Sequence, residues 1–117
     1  MDEALYRTML FDFYGELLTD KQKEYFDLHF NEDLSLTEIA ESEGITRQGV
    51  WDIIRRAEES MRRYEEKTGL VARFAREREL LEGLEEKLTA LQSVTEGPAA
   101  ALAQEIRKDL RELRHGI

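Results

Sequence analysis

Three helix starts crowd into the stretch from Thr19 to Thr46, and they leave the chain little choice of fold. Thr19 stands three residues before Gln22, and Ser35 three before Glu38. Each pair can satisfy two orphan backbone N–H groups reciprocally at a helix entry. Thr46 supplies a third N-cap directly after Gly44-Ile45, where glycine suits the left-handed backbone that closes a helix. The pattern demands short helices meeting at a tight corner. Elsewhere almost nothing breaks a helix: there is one proline in 117 residues, and Leu, Glu, Arg, Lys and Ala dominate where packing would not decide the choice. The fold class is all-α.

From Asp2 to about Leu18 the apolar residues Leu5, Tyr6, Met9, Leu10, Phe13, Tyr14 and Leu17 fall on one broad helical stripe, expected in the core. A second helix opens at Thr19 and packs through Tyr25, Phe26, Leu28, His29 and Phe30. A short third runs from Ser35 to Gly44 with Ile39 and Ala40 inward. The fourth begins after Thr46 and meets no breaker before Thr68-Gly69. Past Gly69 leucines replace aromatics. Leu81, Leu84, Leu88 and Leu91 repeat at heptad a/d spacing, and beyond Gly97-Pro98 a last stripe carries Leu102, Ile106, Leu110 and Leu113. Residues 1–69 are expected to form one domain, and 70–117 a C-terminal helical arm, either two antiparallel helices or a coiled-coil arm with a return helix. The leucines pack either within their own chain or against a second copy. We expect a homodimer through Leu81, Leu84, Leu88 and Leu91, helped by Leu102, Ile106 and Leu110.

Several functions find no support in the residues. There is no cysteine, and the two histidines, His29 and His115, are far apart, so no metal site is expected. No Gly-rich phosphate loop or nucleophile elbow occurs, and the carboxylates lie on regular solvent faces; no catalytic residue and no cofactor is assigned, and the chain reads as a non-enzyme. Apolar runs are far shorter than the roughly 20 residues a bilayer requires, and "MDEALYR" lacks the basic and apolar regions of a signal peptide. The expectation is a cytoplasmic protein with no membrane partner.

The segment Ser35 to Ser60 has the parts of a helix-turn-helix: a small residue, Ala40, where the second helix crosses; Gly44 at the turn; and Ile45, Val50 and Ile53 as apolar plugs. With Val50, Ile53, Ile54 and Ala57 turned inward, the opposite face offers Arg47, Gln48, Trp51, Asp52, Arg55 and Arg56. Arg can chelate guanine and Gln adenine, so Arg47 and Gln48 suit base edges or phosphate at the helix start. Arg55, Arg56, Arg62 and Arg63 can reach phosphates. Trp51 can stack on an unpaired base or anchor the helix to the first one.

Charge opposes this reading. The net charge is -9; Met1 to Thr46 holds three Lys/Arg and twelve Asp/Glu, whereas Arg47 to Lys67 holds six against five. Asp52 repels phosphate, and Arg55 is spaced to pair with Glu58 and Glu59, as Arg62 is with Glu65 and Glu66. An acidic body is more at ease beside a basic protein or a ribonucleoprotein than beside bare DNA.

The stretch "SLTEIAESEGITRQGVWDIIRRAEESM" resembles the helix-turn-helix of region four of bacterial sigma factors. With "FDFYGELLTDKQ" and "RQGVWDIIRRAE", the span from about Leu5 to Phe74 more closely resembles the YlxM family of small bacterial proteins, typically encoded beside the signal recognition particle GTPase. The resemblance implies an all-α helix-turn-helix domain, of the winged-helix or sigma region four kind, with a C-terminal helical extension. It also implies a DNA-binding regulator connected to the signal recognition particle pathway, with Arg47, Gln48, Trp51 and Arg55 on the exposed face. The expected partners are nucleic acid, as DNA or signal recognition particle RNA, and the particle's GTPase. Trp51 and Asp52 depart from sigma region four, where basic or amide residues are usual. The alternative is a protein-protein adaptor that docks on the GTPase without reading DNA.

Overall fold

The computed structural model describes Met1–Gly116; Ile117, the last residue of the expected arm, lies outside the described residues. Six helices follow in order: α1 (Glu3–Tyr14), α2 (Asp20–Phe30), α3 (Leu36–Glu43), α4 (Arg47–Thr68), α5 (Leu70–Ser93) and α6 (Pro98–His115), with one 3₁₀ turn, Gly15–Leu17, after α1. No strand occurs among the described residues. The fold is all-α, as read from the pattern of caps and breakers. By its internal contacts the chain divides into two compact units, Met1–Val71 and Ala72–Ile117.

The helix starts are chemical. Asp2 accepts from the Leu5 N–H at 2.8 Å and opens α1. At α2, Thr19 Oγ1 accepts from Gln22 N while Gln22 Oε1 accepts from Thr19 N; at α3, Ser35 and Glu38 do the same, both bonds 3.0 Å. Each such N-cap contributes about 1 kcal/mol. α3 stops at Gly44, whose φ of 69° is left-handed, and the N–H groups of Gly44 and Ile45 both return to the Ala40 carbonyl. This closure is a backbone device. Ile45, expected as a plug, is 37% exposed, with its Cδ1 beside Gly49 at the start of α4.

In the first unit α4 packs against α1, α2 and α3. Its inward residues Val50, Ile54, Ala57 and Met61 are buried with Leu10, Tyr14, Tyr25, Phe26 and Ile39. Each large apolar side chain so buried contributes about 1.5–3 kcal/mol. Phe11 stacks on Phe26 with ring centroids 5.0 Å apart, and Phe26 tilts against Phe30 at 4.7 Å. α1 is shorter than its stripe suggests. Gly15 lies buried under the Phe11 ring, which a Cβ there would meet at 3.3 Å, and the chain tightens into the 3₁₀ turn. That turn rotates the pattern out of phase: Leu17 points outward at 61% exposure, and Leu18 takes the core position. Leu5, in the first turn of α1, is also exposed, since the stripe outruns the core.

Polar fasteners join α1 to α4. Glu58 accepts from Arg7 at 2.6 Å and from Arg62 at 3.2 Å, and Arg62 also reaches Glu3 at 2.8 Å. The Arg7 guanidinium lies over the Phe30 ring at 4.5 Å, a cation–π contact. Tyr14 donates its hydroxyl proton to Glu65 Oε1 at 2.6 Å and also meets Thr68; the same carboxylate oxygen accepts from Val71 N at 2.9 Å. Burial first, and then the Glu65 carboxylate, push the Tyr14 phenol above its ordinary pKa. Arg62 therefore pairs with Glu58 and Glu3, not with Glu65 and Glu66 as spacing suggested, because Glu65 faces α1 and answers Tyr14.

In the second unit α5 and α6 run antiparallel. Gln92 bonds Gln104 at 3.0 Å and Arg107 at 2.7 Å, while Arg114 reaches back to Glu85 at 2.6 Å. Pro98 sits at the first turn of α6, where its missing N–H costs nothing. Leu81 and Ala103 are buried between the two helices, and Leu88 is half-buried. Leu84, Leu91, Leu102 and Ile106 stay exposed.

Candidate nucleic-acid interface

The corner between α3 and α4 builds the site. Thr46 Oγ1 accepts from Gly49 N at 3.0 Å, and Gly49 keeps this cap unobstructed: a Cβ there would stand 3.1 Å from the same oxygen. Val50, Ile54 and Ala57 are buried and Ile53 is half-buried, so the opposite face of α4 is turned outward. Arg47, Gln48, Trp51, Arg55 and Arg56 are all exposed along it. Leu36, the first residue of α3, joins Arg47, Gln48 and Trp51 around a concavity of about 500 Å³.

These residues differ in how free they are. Gln48 Nε2 lies 3.4 Å from Asp52 Oδ1, longer than a usual N–H···O bond. Arg55 donates to Glu59 at 2.5 Å and lies 3.8 Å from Asp52. Arg63 donates to Ser60, and Arg62 is held by Glu58 and Glu3. Among the described residues, Arg47 and Arg56 have no carboxylate partner, and no aromatic ring stacks on Trp51. Trp51 is 40% exposed.

Arg47, Gln48 and Trp51 therefore meet around one concavity, while Arg55 and Arg56 lie further along α4. Leu36 escaped the sequence reading, because a single apolar residue at a helix start has no periodic partner to mark it. Among the described residues no three His, Cys, Asp or Glu side chains are grouped to hold a metal, and no helix is long and apolar enough to cross a membrane.

A glycine-closed corner between a short supporting helix and a longer one with an exposed polar face makes this a helix-turn-helix protein. Comparison with known proteins agrees. Residues 1–99 match the model of the UPF0122 family, described as "Putative helix-turn-helix protein, YlxM / p13 like", and the chain belongs to that family. It is 40% identical over 113 residues to a UPF0122 protein of Thermoanaerobacter sp. (strain X514), covering 96% of this chain and 97% of that one. With a UPF0122 protein of Caldanaerobacter subterraneus it shares 48% over 85 residues, 73% of each chain. With one from Listeria innocua it shares 47% over 81 residues, 69% of this chain and 74% of the relative.

Proposed function

We propose that this helix-turn-helix protein is a non-enzymatic nucleic-acid-binding regulator that acts in the signal recognition particle pathway, contacting its target through Arg47, Gln48, Trp51, Arg55 and Arg56. One observation carries the reading: Arg47, Gln48 and Trp51 meet, exposed, at the start of α4. The pathway rests on the resemblance to the YlxM family. The 1–69 segment is the reading domain in this proposal, and 70–117 the arm through which two copies pair.

A second reading has its own support. The chain is strongly acidic, and Arg55 pairs with Glu59 and Asp52, which weakens the field a polyanion would feel. An adaptor docking on the signal recognition particle GTPase without reading DNA fits that charge. Fluorescence anisotropy with labelled signal recognition particle RNA and with random duplex DNA, at two salt concentrations, separates the readings. Salt-sensitive binding that is lost in Arg47→Ala supports the regulator; no binding to either nucleic acid, with binding to the GTPase, supports the adaptor.

A further inference from the structure

We infer that the concavity at the start of α4 takes a single unpaired nucleotide, its base stacked on Trp51 and its phosphate against Arg47. The molecule thereby selects looped or single-stranded nucleic acid over duplex. The inference rests on the nucleic-acid reading above and sharpens it.

Reading a duplex needs a row of available cations that follows the phosphates, because those contacts supply most of the affinity and fix the register. Around the concavity α4 offers one such cation, Arg47. Arg55 and Arg62 are each paired with carboxylates of the protein itself, and Asp52 sits among the outward residues. Arg56, Arg63 and Lys67, which have no carboxylate partner among the described residues, lie further along the helix, with Asp52 between them and Arg47. A duplex laid along α4 would also bring many phosphates close to a chain of net charge -9.

A single nucleotide asks for much less. It needs one aromatic face, one cation, one amide and enough room, and the concavity of about 500 Å³ has all four. The Trp51 indole is 40% exposed and carries no stacked ring among the described residues. A base laid on it would gain stacking without regard to sequence. Leu36 supplies an apolar neighbour. Arg47 has no carboxylate partner and can meet one phosphate, and the Gln48 amide, held only by its long contact to Asp52, can turn to a base edge. The base face, and the edge used in pairing, are available only where the base is unstacked and unpaired.

Trp51 is the only tryptophan in the chain, so its fluorescence reports on the proposed contact directly. The intact protein is titrated with a single-stranded DNA dodecamer, an RNA hairpin presenting the same bases in its loop, and a blunt DNA duplex of that sequence, following anisotropy and tryptophan emission together. The single strand and the loop should quench Trp51, and the duplex should bind at least about tenfold more weakly without quenching. Trp51→Ala should lower affinity for the unpaired ligands about tenfold, and Trp51→Phe should keep most of it. The DNA and RNA arms tell the two sources of an unpaired base apart. Duplex binding that matches or exceeds the others, with no quenching, overturns this inference and leaves the nucleic-acid reading standing. Failure of all three ligands to bind overturns both.

Discussion

Arg55 donates to Glu59 at 2.5 Å, one turn further along α4, so an arginine expected at a phosphate is already engaged by a carboxylate of its own helix. An exposed pair at this spacing contributes only about 0.3–0.5 kcal/mol to stability. Its larger effect is on the field outside. Glu59→Gln should leave folding nearly unchanged, tighten nucleic-acid binding a few-fold, and steepen the dependence of log K on log salt by about one. Anisotropy across a salt series measures both, and an unaltered slope would place Arg55 away from the phosphates.

Tyr14 ties α1 to the end of α4 through Glu65, and removing its hydroxyl tests that tie. Tyr14→Phe should cost about 1–2 kcal/mol, since it leaves a partly buried carboxylate short of a donor. The phenol's pKa is raised in the folded state, so this contribution is whole below the ordinary tyrosine value of 10.0 and is lost as pH rises through the folded value. Denaturation of native protein should therefore become easier as pH rises above about 10, and less so in Tyr14→Phe. Parallel pH dependence in the two would remove Tyr14 as the cause.

Two glycines should respond oppositely to alanine. Gly44 has a φ of 69° and open space around it, so Gly44→Ala meets backbone strain alone and should lose about 1 kcal/mol. Gly83 stands inside α5 with nothing near a Cβ and no positive φ, so Gly83→Ala should gain about 0.5–1 kcal/mol. Thermal unfolding of both variants checks the pair, and a gain in Gly44→Ala would contradict its helix-closing role.

For assembly, Leu84 and Leu91 are the informative positions, because both are exposed whereas Leu81 is buried against α6. Leu84→Glu combined with Leu91→Glu should convert a dimer to the 13.7 kDa chain while preserving helicity. Sedimentation at several concentrations shows this. A native protein that stays at 13.7 kDa throughout would sink the dimer.

Local chemistry was legible in the residues and distant chemistry was not. Both capping boxes and the Gly44 corner depend on neighbours three to five residues apart, and they stand as the spacing indicated. The outward face of α4 followed from which residues turned inward. The first helix misled because its periodicity assumed 3.6 residues per turn, and the 3₁₀ turn at Gly15 broke that count, moving Leu17 out and Leu18 in. The pairs Arg7 with Glu58 and Tyr14 with Glu65 span 51 residues each, and no spacing rule reaches so far. Because Glu65 answers Tyr14 on α1, Arg62 pairs back along its own helix with Glu58 and not with Glu65 or Glu66.

The hairpin of α5 and α6 has a similar story in its Glu85. Leucine ladders fit one another at many offsets, much as two combs mesh wherever their teeth fall. Glu85, only 15% exposed, meets Arg114 at 2.6 Å and Arg111 at 3.7 Å. Sliding α6 by one turn in one direction would set Leu110 where Arg114 stands and Arg107 where Arg111 stands, so the shielded carboxylate would lose its short bond and keep only the longer approach, which is costly. The carboxylate acts as an index pin: it adds little to how strongly the two helices hold, and it decides at which notch they stop.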